Sequence, residues 1–166
     1  NLGVGSWSTG ASFFDFDKDG DLDLHVANYV AFDEALMLAE HPTTNYQGVE
    51  VMKGPQGLPS APDCFFVNQG GLVFREQSSA LGMSDTSFGF QSLAFDFDLD
   101  GWVDLFVGND SVGNNLWRNL EGKRFEDVAL RHGLAFSLSG RPQACMGAAL
   151  GDYNGDQRAD VYVTNF

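Results

Sequence analysis

Apolar residues fall on every second position through long parts of this chain. Leu22, Leu24 and Val26 do so, then Val103, Leu105 and Val107, then Ala159, Val161 and Val163. A period of two is the signature of a strand, whose side chains alternate between faces. The middle of the chain shows the unit best. Gln91–Asp96 predicts one strand, Val103–Asn109 a second and Asn115–Asn119 a third. Lys123–Val128 predicts a fourth after the turn at Glu121-Gly122. Nearer the N-terminus, Asp63–Asn68 and Leu72–Glu76 match the third and fourth of these strands. Four short strands joined by turns make an antiparallel meander, and a unit of about 40–55 residues of that kind is a propeller blade.

Between the first and second strands of each unit lies an acidic loop, and it occurs three times. The copies are D-F-D-K-D-G-D-L-D from Asp15 to Asp23, D-F-D-L-D-G-W-V-D from Asp96 to Asp104, and D-Y-N-G-D-Q-R-A-D from Asp152 to Asp160. Counting the first Asp as position 1, positions 1, 3, 5 and 9 are Asp or Asn in every copy. They are Asp15, Asp17, Asp19 and Asp23; Asp96, Asp98, Asp100 and Asp104; Asp152, Asn154, Asp156 and Asp160. The match extends to Asn28, Asn109 and Asn165 at position 14, so this is an internal repeat. Oxygens at alternate positions of a tight turn converge, and a hard cation such as Ca²⁺ makes that convergence favourable. A fifth ligand is expected from the carbonyl at position 7, which is Asp21, Trp102 or Arg158. Up to three Ca²⁺ are therefore expected.

Two other readings compete. An EF-hand loop needs a bidentate Glu at position 12 and a helix on each side. Here position 12 is Val26, Val107 and Val163, and the flanks are strands. A solvated Asp-Gly hairpin turn explains one copy adequately but not three with matched flanks. Gly20 and Gly101 at position 6 permit a positive φ, whereas the third copy has Gln157 there and is expected to be strained.

Asp23 to Asn68 takes 45 positions, against 15 from Asp104 to Asn119, so about 30 residues are inserted between Tyr29 and Pro62. The insert opens with a predicted short helix, Phe32–Glu40, stopped by Pro42, and continues as loop through Gly54-Pro55, Gly57 and Pro59. It is either decoration or a binding surface. The expected fold is all-β, a fragment of a calcium-binding β-propeller with about two and a half four-stranded antiparallel blades. Blade one takes 1–82 with its insert at about 29–62, blade two takes 83–137, and 138–166 is the first half of blade three. The rest of the propeller is expected to lie outside this chain.

The chain has 166 residues, 43% of them hydrophobic, which suffices for a packed core. Its net charge is −14, and the three loops hold 12 of its 23 acids. Three divalent ions would bring −14 to −8, so the loops account for much of the acidity. Such a surface argues against nucleic acid as a partner. No apolar run approaches the roughly 20 residues of a membrane helix. The chain begins at Asn1, so the lack of a signal peptide carries no information. Cys64 and Cys145 read as two separate buried thiols or, less simply, as a disulfide between repeats.

The sequence resembles the FG-GAP/VCBS repeat, the calcium-bearing blade of integrin α-subunits and many exported bacterial proteins, and within it the cartilage acidic protein (ASPIC/UnbV) group. The phrases that carry the likeness are Ser8–Leu24, N-N-L-W-R-N from Asn114 to Asn119, R-F-E-D-V-A from Arg124 to Ala129, Gly140–Asp156 and D-V-Y-V-T-N-F at the end. The Phe-Gly pair is Phe88-Gly89. The resemblance places the ligands at positions 1, 3, 5 and 9 with the position-7 carbonyl; Asn154 and Gln157 depart from its pattern. It implies an extracellular, periplasmic or cell-surface protein and an interaction, adhesion or scaffold role without chemistry, with a protein or glycan ligand at the cell exterior.

No nucleophile elbow or zinc-protease motif is present, and the paired carboxylates lie in the metal loops. The expectation is therefore not an enzyme. The alternative is a Ca²⁺-dependent propeller enzyme or binder acting on polysaccharide, with active residues in the insert or in further blades. Trp102 is open between a blade contact and a sugar-stacking platform. His25 reads as a packed substitute for Phe106 and Tyr162 at position 11.

Overall fold

A computed structural model describes residues 5–35, 43–52, 54–55 and 57–166. It is all-β with antiparallel pairing throughout. The first sheet has the order β1 (Trp7–Phe14), β2 (Asp23–Val30), β5 (Cys64–Asn68) and β6 (Phe74–Glu76). The second repeats it with β7 (Gly89–Phe95), β8 (Asp104–Asn109), β9 (Asn115–Asn119) and β10 (Phe125–Asp127). A two-stranded third sheet pairs β11 (Cys145–Gly151) with β12 (Asp160–Asn165). Among the described residues no helix is long and apolar enough to cross a membrane.

The sheets stack face to face, and the period-two pattern decides which residues meet. Leu105 and Val107 of β8 point towards the first sheet, where they join Phe14, Phe16, Phe65, Val67, Trp117 and Phe125 in one core. Phe106, between them, points the other way and packs with Leu116, Val128, Phe95, Val161 and Val163. Strand β8 is buried along its whole length because both of its faces are covered. Phe16 seals the first seam, with ring centroids 5.3 Å from Phe65 and 5.9 Å from Phe125.

The strands that open the sheets, β1, β7 and β11, lie against one another. Thr9 Oγ1 donates to the Gly89 carbonyl at 2.8 Å, and the Ala148 N–H donates to Gln91 Oε1 at 3.0 Å. Each of the three carries a register shift near its start. At Gly108, a Cβ would collide with the Cys145 sulfur, so the missing side chain is what lets the third sheet close on the second. Both cysteines are free, and burial pushes the Cys145 thiol up.

The insert departs from its expected loop character. Thr43–Tyr46 (β3) and Val49–Met52 (β4) form a hairpin. Its turn, Gln47-Gly48, has φ of 50° and 87°, the two left-handed residues that match strand twist. Most of the helix expected over Phe32–Glu40 lies outside the described residues, which stop at 35.

Candidate metal centre

Each acidic loop joins the first two strands of its sheet, and one hydrogen-bond skeleton shapes all three. The position-9 carboxylate accepts the position-2 N–H at 3.0 Å, in Phe16–Asp23, Phe97–Asp104 and Tyr153–Asp160 alike. The position-1 carboxylate accepts the position-6 N–H from Gly20, Gly101 or Gln157, at 3.1, 2.8 and 2.8 Å. The position-5 carboxylate accepts the position-7 N–H at 2.9 Å in every copy.

The turn needs two left-handed residues rather than one. Position 6 has φ of 94° at Gly20, 88° at Gly101 and 66° at Gln157. Position 4 is left-handed too, with φ of 63° at Lys18, 60° at Leu99 and 79° at Gly155. Gln157 is strained as expected, but Gly155 relaxes the other seat. Every loop therefore has one non-glycine residue in the left-handed region, and strain does not set the third loop apart.

Oxygens of Asp15, Asp17 and Asp19 come within 4.8 Å of one another in the first loop, and those of Asp96, Asp98 and Asp104 in the second. Asp21 and Asp23 stand outside the first group and Asp100 outside the second. Arg118 bridges Asp98 and Asp100, with Nε 2.7 Å from Asp98 Oδ2 and Nη2 3.1 Å from Asp100 Oδ2. In the third loop Asn154 Nδ2 donates to Asp156 Oδ2 at 3.2 Å, so part of that cluster is satisfied by an amide.

A divalent cation fits these residues. Asp15 Oδ1 is buried and has no hydrogen-bond partner. Burial, more than any neighbouring charge, raises the carboxyl of Asp104 to about 6, against the N–H bonds of Asn119 and Phe97 that lower it. Burial likewise raises Asp17, helped by the charge on Asp19, and raises Asp23. These are carboxylates short of positive charge, which a hard dication supplies.

The strands behind the loops add residues that spacing alone did not single out. Asp23 Oδ1 accepts the Asn68 N–H at 2.9 Å, and Asp104 Oδ1 accepts the Asn119 N–H at 2.7 Å. The Asn68 amide reaches back to the Leu22 carbonyl at 3.3 Å, and that of Asn119 to the Val103 carbonyl at 3.0 Å. The signal was present, since C-F-F-V-N and N-L-W-R-N both end on Asn. Loop, supporting asparagine and sheet thus recur as a unit in the first two copies, and the loop with its two strands recurs in the third.

Residues 96–163 match the FG-GAP-like repeat family. No curated protein is found to match the chain. FG-GAP repeats are β-propeller blades, and the two four-stranded sheets and the third pair of strands have that form. The match covers the second and third loops, and the first loop, which lies outside it, has the same hydrogen-bond skeleton as those two. Trp102 is no open platform here. The Lys18 ammonium lies 3.9 Å from its ring centroid. His25 is fully buried, 3.4 Å from Asp63 Oδ2 and 6.5 Å from the Phe65 ring.

Proposed function

We propose that this chain is a calcium-stabilised, non-catalytic interaction or scaffold module of the cell exterior. The observation that carries the reading is the orphaned Asp15 Oδ1 within a group of three carboxylates, on a turn built the same way three times. In the first loop Asp15, Asp17, Asp19 and Asp23 would hold the ion, with the Asp21 carbonyl. Asp96, Asp98, Asp100, Asp104 and the Trp102 carbonyl serve in the second; Asp152, Asn154, Asp156, Asp160 and the Arg158 carbonyl serve in the third. The ion balances charge at a turn that joins two strands and so holds the sheet together. The FG-GAP match supports a propeller surface that meets another protein. Affinity suits the exterior, where Ca²⁺ is near millimolar, because no position-12 Glu closes the sites. Calorimetric titration of the chain with Ca²⁺ tests this. Up to three ions are expected, and no binding in the millimolar range at any loop overturns the reading.

A further inference from the structure

We propose that the first and second loops bind calcium as a coupled pair, with the Asn119 side chain as the link between them. The inference rests on the calcium reading above.

The path consists of three hydrogen bonds. Asp23, which closes loop one, accepts the N–H of Phe16 at 3.0 Å. The carbonyl of the same Phe16 accepts from Asn119 Nδ2 at 2.8 Å. The N–H of Asn119 donates to Oδ1 of Asp104, which closes loop two, at 2.7 Å. The second Nδ2 hydrogen goes to the Val103 carbonyl of loop two, and Oδ1 accepts the Gly122 N–H. Asn119 is 1% exposed, and both its amide hydrogens are committed, one to each loop. If either loop opens, a buried donor loses its partner with no water to replace it.

Two further contacts follow the same line. Lys18 of loop one lies over the ring of Trp102 in loop two. Gly122 sits so close to loop one that a Cβ there would come 2.8 Å from Asp17 Cα and 2.9 Å from the Trp102 ring. Position 4 of loop one therefore meets position 7 of loop two, while positions 2 and 3 meet Asn119 and Gly122 on the strand end and turn behind it. Among the described residues no side chain hydrogen-bonds to both loop two and loop three, as Asn119 does to loops one and two, so the molecule contains its own control.

An ion in loop one fixes the Phe16 peptide, which holds the Asn119 amide and with it the Asp104 carboxylate. Loop two then needs less ordering to bind, and linkage makes the effect reciprocal. An effect of about fivefold or more in affinity is expected, the lower end of measured couplings.

The test follows the amide resonances of Gly20, Gly101 and Gly155 through a Ca²⁺ titration of the full chain, one reporter per loop. Disabling loop two with Asp98→Asn should weaken binding at loop one about fivefold or more, and Asp17→Asn should do the same to loop two. Disabling loop three with Asp156→Asn should alter neither. In an Asn119→Ala background the effect of Asp98→Asn on loop one should vanish. If that background does not fold, Lys18→Met, at an exposed position, should shrink it. If Asp98→Asn leaves loop one unchanged while Ca²⁺ still binds there, the coupling is wrong and the calcium reading stands. Coupling that survives undiminished in a folded Asn119→Ala protein removes Asn119 as the link. Absence of binding at every loop removes both readings together.

Discussion

Arg118 Nε lies 2.7 Å from Asp98 Oδ2. The same strand position in the first sheet is Val67, which has no charge to offer. Among the described residues, loop two therefore has a cation paired with its carboxylates and loop one does not, and a metal ion entering loop two must displace or share that contact. Arg118→Val should strengthen Ca²⁺ binding at loop two and lower the melting temperature of the metal-free protein. The pair is partly exposed, so the change is modest, about 1 kcal/mol or less. Calorimetry on the variant checks it, and an unchanged or weaker loop-two affinity contradicts it.

The acids also rank the sites. Loop one has five carboxylates, loop two has four with Arg118 against them, and loop three has three. Since each turn holds one strained non-glycine residue, charge alone separates them. Stepwise chelation should empty loop three first and loop one last. Retention of metal longest at Asp152–Asp160 would reverse the order.

The pH response follows from Asp104. Its folded carboxyl sits at about 6 against an ordinary 3.8, raised chiefly by burial. A raised acid contributes stability that is complete below 3.8 and lost as pH rises through about 6. Asp17 and Asp23 are shifted the same way. Without metal, these groups should make the melting temperature fall between about pH 4 and pH 6. With Ca²⁺ present the carboxylate form is the one stabilised, so the gain in melting temperature from calcium should grow across that interval. Melting curves in chelator and in Ca²⁺ at several pH values measure both, and a calcium gain independent of pH refutes the assignment.

Removing a ligand should act like removing the ion. Asp96→Ala or Asp104→Ala should lower the melting temperature in Ca²⁺, and by less in chelator, where mutual repulsion has already loosened the turn. Equal melting of mutants and parent in both conditions would make the loops ordinary turns.

The local part of this architecture was legible in the sequence. Asn115–Asn119 forms the third strand predicted for its unit, and the acidic turns join strands as the flanks of Val26 and Val107 require. What escaped depends on distance or on silence. Asn119 acquires its second role only by meeting the Phe16 carbonyl, 103 positions away. The left-handed seats at Lys18 and Leu99 carry no glycine to announce them, and only Gly155 in the third copy hints at that geometry. The β3–β4 hairpin is four residues a side and outwardly exposed where its burial is described, so no hydrophobic face marks it. Its signal was the Gln47-Gly48 turn.

The Cys145 sulfur fills the space that a side chain on Gly108 would take, and the residue is wholly buried between the second and third sheets. A thiol reagent in solution can reach it only while those sheets are apart. The rate at which Cys145 is modified is thus a clock for the opening of that seam. Cys64 in the first sheet is only half-buried, so the same chain carries a reference thiol whose modification does not wait on that seam.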